Sequence, residues 1–143
     1  MNDFDKIKDI LSVYRDLEVY KASPGHGTFI TFDFSDREAI RSKKSDYHLW
    51  IYLCEWKIYS KETLLWSSDA LEREEEFDLE ESFFGRKLED IFLDNDKVYL
   101  MFSGNICIEL SEMDDSKEDD FFILYQKNVK ALSYSKNLGF YLD

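Results

Sequence analysis

No apolar stretch approaches the roughly 20 residues of a membrane-crossing helix, and the first residues, MNDFDKIKDI, lack the basic start and apolar centre of a secretory leader. These two absences point to a cytoplasmic protein. Histidine is nearly missing: His26 sits in a glycine-containing turn and His48 opens a strand, so a zinc site built from these two and the cysteines is not expected. Cys54 and Cys107 lie in apolar, strand-like stretches rather than in a Cys-x-x-Cys pair, and read as two buried free thiols. Also absent are Gly-x-Ser-x-Gly, a Walker loop and a His-x-Glu arrangement. Carboxylates are plentiful, but an acid pair that hydrolyses needs one carboxyl held neutral in an apolar cleft, and these lie on polar stretches. We therefore assign no catalytic residue, no cofactor and no metal, and the chain reads as a non-enzyme.

Positive charge is the next scarcity. Against 31 Asp and Glu stand 18 Lys and Arg, a net charge of -13. Such a surface repels nucleic acid and anionic membrane and speeds encounter with a basic protein. An acidic surface also keeps a protein in solution, and that reading stands beside the first.

What is present is the material of a core: 44% hydrophobic residues, 17% aromatic, in 143 residues. That suffices for one domain, residues 1–143, without a metal or disulfide as staple. The longest aromatic run, Tyr47 to Tyr59, reads as the central strand. From Leu49 to Leu53 both alternating faces are apolar, as in a strand covered on both sides; after Cys54, Glu55 and Lys57 alternate with Trp56 and Ile58, as in a strand with one wet face. Thirteen extended residues would span ~43 Å, so a bend or bulge is expected near Cys54 to Trp56.

Before it, Phe4, Ile7, Leu11 and Tyr14 recur at helical spacing within Asp3 to Arg15, with Asp3 and Asp5 placed where the helix dipole favours anions. Leu17 to Lys21 and Thr28 to Phe34 flank Ser23-Pro24-Gly25-His26-Gly27 as a hairpin. Its glycines read as turn chemistry, since a phosphate loop would be followed by a helix. Ser35 to Ser45, with Arg37, Arg41, Lys43 and Lys44, reads as a surface loop. Beyond the central strand come a short strand at Glu62 to Trp66 and a helix over 71–84 that stops at Gly85. Strands then follow at Leu88 to Leu93, Val98 to Phe102, Ile106 to Leu110, Phe121 to Tyr125 and Val129 to Tyr134. The expected fold is α+β: a curved, mainly antiparallel sheet of about seven to eight strands with an N-terminal helix and a second helix around residues 71–84.

Two acidic clusters are candidate binding surfaces. Glu72, Glu74, Glu75, Glu76, Asp78, Glu80 and Glu81 form the first; Glu112, Asp114, Asp115, Glu118, Asp119 and Asp120 form the second. Like charges four apart on a helix cost a few tenths of a kcal/mol per pair, so local helix stability does not account for the first cluster. A partner-facing negative field would; so would a solvated face. Neither the second cluster nor Asp94-Asn95-Asp96 has EF-hand spacing, and Lys117 would sit amid the ligands, so calcium is not expected. Trp50, Trp56, Trp66, Tyr52 and Tyr59 suit either a core or an aromatic ligand pocket.

The segments GTFITFDFS (residues 27–35), YHLWIYLCEWKIY and FFGRKLEDIFL resemble a group of small, mostly uncharacterised bacterial proteins that share an HLWIYLCxW strand and a GxKL segment. The resemblance spans residues 17 to 134 and is similar in type to immunity proteins that neutralise toxins in bacterial competition. It implies a fold and carries over no catalytic residue. On that reading the chain is an immunity-type binding protein that occludes a basic toxin, such as a nuclease, through its acidic face. The partner-binding residues would be the two clusters with Tyr59 and Trp66 as exposed aromatic anchors. The alternatives are a small-molecule module with an aromatic pocket around Trp50 and Trp56, and a structural protein.

Overall fold

A computed structural model describes residues 3–25, 28–35, 47–72, 77–113, 119–126 and 130–142. Among them the first helix, α1 (Asp3–Tyr14), precedes the strands β1 (Glu18–Pro24), β2 (Ile30–Ser35), β3 (Tyr47–Ile51), β4 (Glu55–Ser60) and β5 (Thr63–Ser67). Two short helices follow, α2 (Ser68–Glu72) and α3 (Leu79–Phe83). The rest is β6 (Leu88–Asp94), β7 (Lys97–Phe102), β8 (Ile106–Ser111), β9 (Asp120–Gln126), β10 (Lys130–Ser135) and β11 (Gly139–Leu142).

The α+β class holds, but the strands form two antiparallel sheets, ordered β1-β2-β3-β9-β10-β11 and β5-β4-β8-β7-β6, rather than one curved sheet of seven or eight. The physical reason lies in the aromatic run. Residues 52–54 leave the extended conformation, so β3 ends in the six-stranded sheet and β4 begins in the five-stranded one. The bend expected near Cys54 is a crossing between sheets. Cys54 is buried at that crossing, its Sγ 3.4 Å from the Phe121 carbonyl, and the Trp56 indole N–H donates to the Thr28 carbonyl at 2.6 Å. The expectation that Leu49 to Leu53 is covered on both faces is corrected: Leu49 and Ile51 are buried, whereas Trp50 and Leu53 are exposed. Cys107, half-buried on β8, is free like Cys54.

Alternation of period two carries the inner faces. Ile30, Phe32 and Phe34 on β2 meet Val98, Leu100 and Phe102 on β7 and Ile106, Ile108 and Leu110 on β8 within one continuous apolar cluster. Rings seal the two layers: Phe102 lies 5.8 Å from Phe32, 6.4 Å from Phe34 and 5.0 Å from Phe83 of α3.

The helix α1 turns Ile7, Ile10 and Tyr14 into that cluster and lies against β6, an edge of the five-stranded sheet, and against β11, an edge of the six-stranded one, and its neighbour β10. The Tyr14 hydroxyl donates to the Tyr125 carbonyl and its ring meets Phe34 and Tyr47 edge-on. The single helix expected over 71–84 is corrected as well. Phe77 and Asp78 are not helical, α2 begins before that span at Ser68, and residues 73–76 lie outside the described residues. Phe77 stacks on Trp66 at 5.1 Å, and Asp78 starts α3 as its N-cap by accepting the Glu81 N–H at 2.9 Å. The expected stop is in place: Gly85 has φ +81°. Its N–H donates to the Val19 carbonyl, while the Arg86 carbonyl accepts from the Val19 N–H, which ties β1 to the start of β6. Strand β11 had no counterpart in the sequence reading. The basic loop at Arg37, Arg41, Lys43 and Lys44 lies outside the described residues, as do residues 127–129.

Candidate functional site

The outer face of the six-stranded sheet gathers an exposed tryptophan, half-buried aromatic rings and oriented carboxylates. Register places Ser23, Thr31, Trp50, Ile123, Ser133 and Tyr141 in one row across its strands, with Trp50 near the middle. Trp50 is 37% exposed, because its even position in β3 points away from the core that Leu49 and Ile51 enter. Tyr125 and Phe29 hold its ring at centroid distances of 4.9 and 6.0 Å.

Carboxylates bond the residues two positions either side of Trp50, His48 and Tyr52. Asp33, paired in register with His48, places Oδ1 2.7 Å from His48 Nδ1. Asp120 accepts from the Tyr141 hydroxyl at 2.5 Å and the Tyr52 hydroxyl at 3.4 Å. Burial first, and then the Asp120 carboxylate, pushes the Tyr52 phenol well above the usual tyrosine range, so it stays a donor at neutral pH. Both acids are thus pre-oriented, and each carboxylate has lone-pair sites left for a cation from outside. A rigid tryptophan on one face with two fixed carboxylates suits an Arg- or Lys-bearing protein surface: the ring offers area and a cation–π face, the acids offer charge.

The opposite outer face differs. On the five-stranded sheet Glu109 is already engaged, by Lys97 Nζ at 3.4 Å and the Tyr99 hydroxyl at 3.3 Å, so its charge is largely internal.

The residues singled out from the sequence are dispersed. Glu74, Glu75, Glu76, Asp114, Asp115 and Glu118 lie outside the described residues, and Glu72 falls at the end of α2. Asp78 is spent on capping α3; Glu80 and Glu81 are exposed in its first turn. Glu112 is paired with Lys136 at 2.6 Å. Asp119 and Asp120 lead into β9, and among the described residues of the clusters Asp120 joins the Trp50 face. Tyr59 is half-buried in β4, a strand of the other sheet. The expectation of an exposed Trp66 is corrected: it is 5% exposed, sandwiched between Trp56 at 5.1 Å and Phe77. Trp56 is fully buried, so it forms no shared pocket with Trp50. Sequence reading missed Asp33, Tyr125 and Tyr141; the alternation in Thr28 to Phe34 puts Asp33 on a polar face, but only strand order brings these residues together.

Among the described residues there is no group of three or more His, Cys, Asp or Glu placed to hold a metal ion, and no helix long and apolar enough to cross a membrane. Compared with known proteins, the chain matches no family model, no curated protein and no solved structure.

Proposed function

We propose that this chain is an immunity-type binding protein that occludes a basic protein, a toxin such as a nuclease, with Trp50, Tyr125, Asp33 and Asp120 on the outer face of the six-stranded sheet as its contact centre. One observation carries the reading: an exposed tryptophan fixed by two rings, on one face with two oriented carboxylates. The net charge of -13 supports it through steering, which raises the rate of encounter with a cationic partner and weakens with salt. The exposed acids of α3, Glu80 and Glu81, serve encounter rather than the contact centre.

The test is retention of proteins from the source cells on the immobilised chain at low and high salt, run beside a Trp50→Ala/Tyr125→Ala variant and a Glu80→Lys/Glu81→Lys variant. The expected result is one basic protein, held by the parent chain and by the α3 variant more slowly, and lost from the sheet-face variant. Retention unaffected by the sheet-face change would move the contact away from Trp50.

A further inference from the structure

A second surface lies between α1 and β6, apart from the sheet face. There a groove of about 860 Å³ is lined by Phe4, Ile7 and Leu11 of α1, Leu88 and Ile91 of β6, and Phe140 of β11, a volume suited to a small ligand. Its mouth leaves Phe4 70% and Leu93 45% exposed, apolar surface that water solvates poorly. Phe4, Lys8 and Leu11 recur at intervals of four and three, with Arg15 four further on just past the end of α1, so one stripe of the helix and its exit form one wall. Phe4 to Arg15 spans ~16 Å along that wall, the reach of an extended alkyl chain of about a dozen carbons.

Charge gives the groove a direction. Arg15, just past α1, and Lys87, just before β6, both line the groove, and the bond from Val19 N–H to the Arg86 carbonyl, 2.9 Å, brings their chain segments together. Neither cation is paired with a carboxylate among the described residues. Lys8 lies over the Phe4 ring at 5.9 Å. Of the acids, Asp3 is at the far end with Lys6, 3.7 Å away, Asp90 is engaged by the Ile91 N–H, and Glu89 is exposed. The end of α1 works against an anion there, but two cations from two elements outweigh a partial helix charge.

The edge strand speaks against a peptide. Asn95 and Asp96, φ +51° and +63°, make a two-residue turn, so the Asp94–Lys97 pair closes the hairpin and Ile91 points its N–H away from β7. That N–H is taken by Asp90 Oδ1 at 2.8 Å, and the register shifts between Leu88 and Asp90. A self-capped, bulged edge is blunted against strand addition.

We propose that this groove binds a small amphiphile, its apolar chain along α1 and β6 and its anionic head, a carboxylate or phosphate, between Arg15 and Lys87. The test is titration of the ¹⁵N-labelled full chain with dodecanoate, dodecyl phosphate and dodecanol, each below its micelle concentration, followed by amide shifts. Saturable shifts confined to residues 3–15, 87–93 and 140 are expected with an anionic ligand. Dodecanol should bind at least about tenfold more weakly, and Arg15→Gln/Lys87→Gln should remove that difference. Added salt, which needs no variant, should weaken the anion's binding and leave dodecanol's unchanged. Absence of saturable shifts, equal affinity for dodecanol, or β6 shifts produced only by an apolar peptide or by self-association would each overturn the proposal.

Discussion

Replacing Phe102 by alanine removes the ring that joins the two sheets. The side chain is 1% exposed and touches Phe32 and Phe34 of the facing sheet and Phe83 of α3, with centroids 5.8, 6.4 and 5.0 Å away. Truncating a buried phenylalanine costs about 3–5 kcal/mol through lost transfer energy and the cavity left behind. Three ring partners on two elements, β2 and α3, place Phe102 toward the upper part of that range, since the walls cannot collapse from one side alone. With 143 residues the unfolding entropy is ~0.3 kcal/mol/K, so a loss of about 4 kcal/mol lowers Tm by roughly 13 °C. Calorimetry and urea unfolding of the Phe102→Ala chain measure this directly. A drop under about 4 °C, with unchanged m, would show that this ring does not join the sheets as described.

Two further changes follow from local geometry and titration. Gly104 has φ +80°, and an added Cβ would lie 2.0 Å from the Arg86 guanidinium. Gly104→Ala should therefore lose more than about 1 kcal/mol and release Arg86 from the Ser103 carbonyl, seen as a lower urea midpoint. Burial raises the Tyr14 phenol, and burial with Asp120 raises Tyr52, well above the usual value near 10. Between about pH 10 and those raised values the unfolded chain binds fewer protons than the folded one, so stability falls as pH rises through that window. Urea midpoints at pH 9 and pH 11 should show the fall. Tyr14→Phe should cost about 0.5–1.5 kcal/mol at neutral pH, by losing the bond to the Tyr125 carbonyl, and should shrink the alkaline fall.

Local patterns were legible in the sequence; their assembly was not. The helix at α1 followed from Phe4, Ile7, Leu11 and Tyr14, and β6, β7 and β8 followed from the runs at Leu88 to Leu93, Val98 to Phe102 and Ile106 to Leu110, which the structure joins through residues at positive φ: Asn95, Asp96, Gly104 and Asn105. The break in the aromatic run was foreseen from its length, but not its meaning. Whether a chain bends within a sheet or passes to another depends on what Cys54 and Trp56 meet, namely Phe121 and Thr28, far along the chain. The acidic spans misled for a related reason: apolar Phe77 interrupts the helix pattern because it stacks on Trp66. The sheet face around Trp50 was hidden because Asp33, Tyr125 and Tyr141 reach it from strands distant in sequence, through the order β2-β3-β9-β10-β11. Strand β11 is only four residues long and gave periodicity little to act on.

The most direct test of the central claim is the affinity of the retained basic protein for the parent chain and for Trp50→Ala, measured by calorimetry at two salt concentrations. Loss of a buried interface tryptophan costs 2 kcal/mol or more, so Trp50→Ala should bind about 30-fold more weakly, with the parent affinity falling as salt rises. Equal affinities for the two chains, or a partner that is acidic and indifferent to salt, would contradict the account.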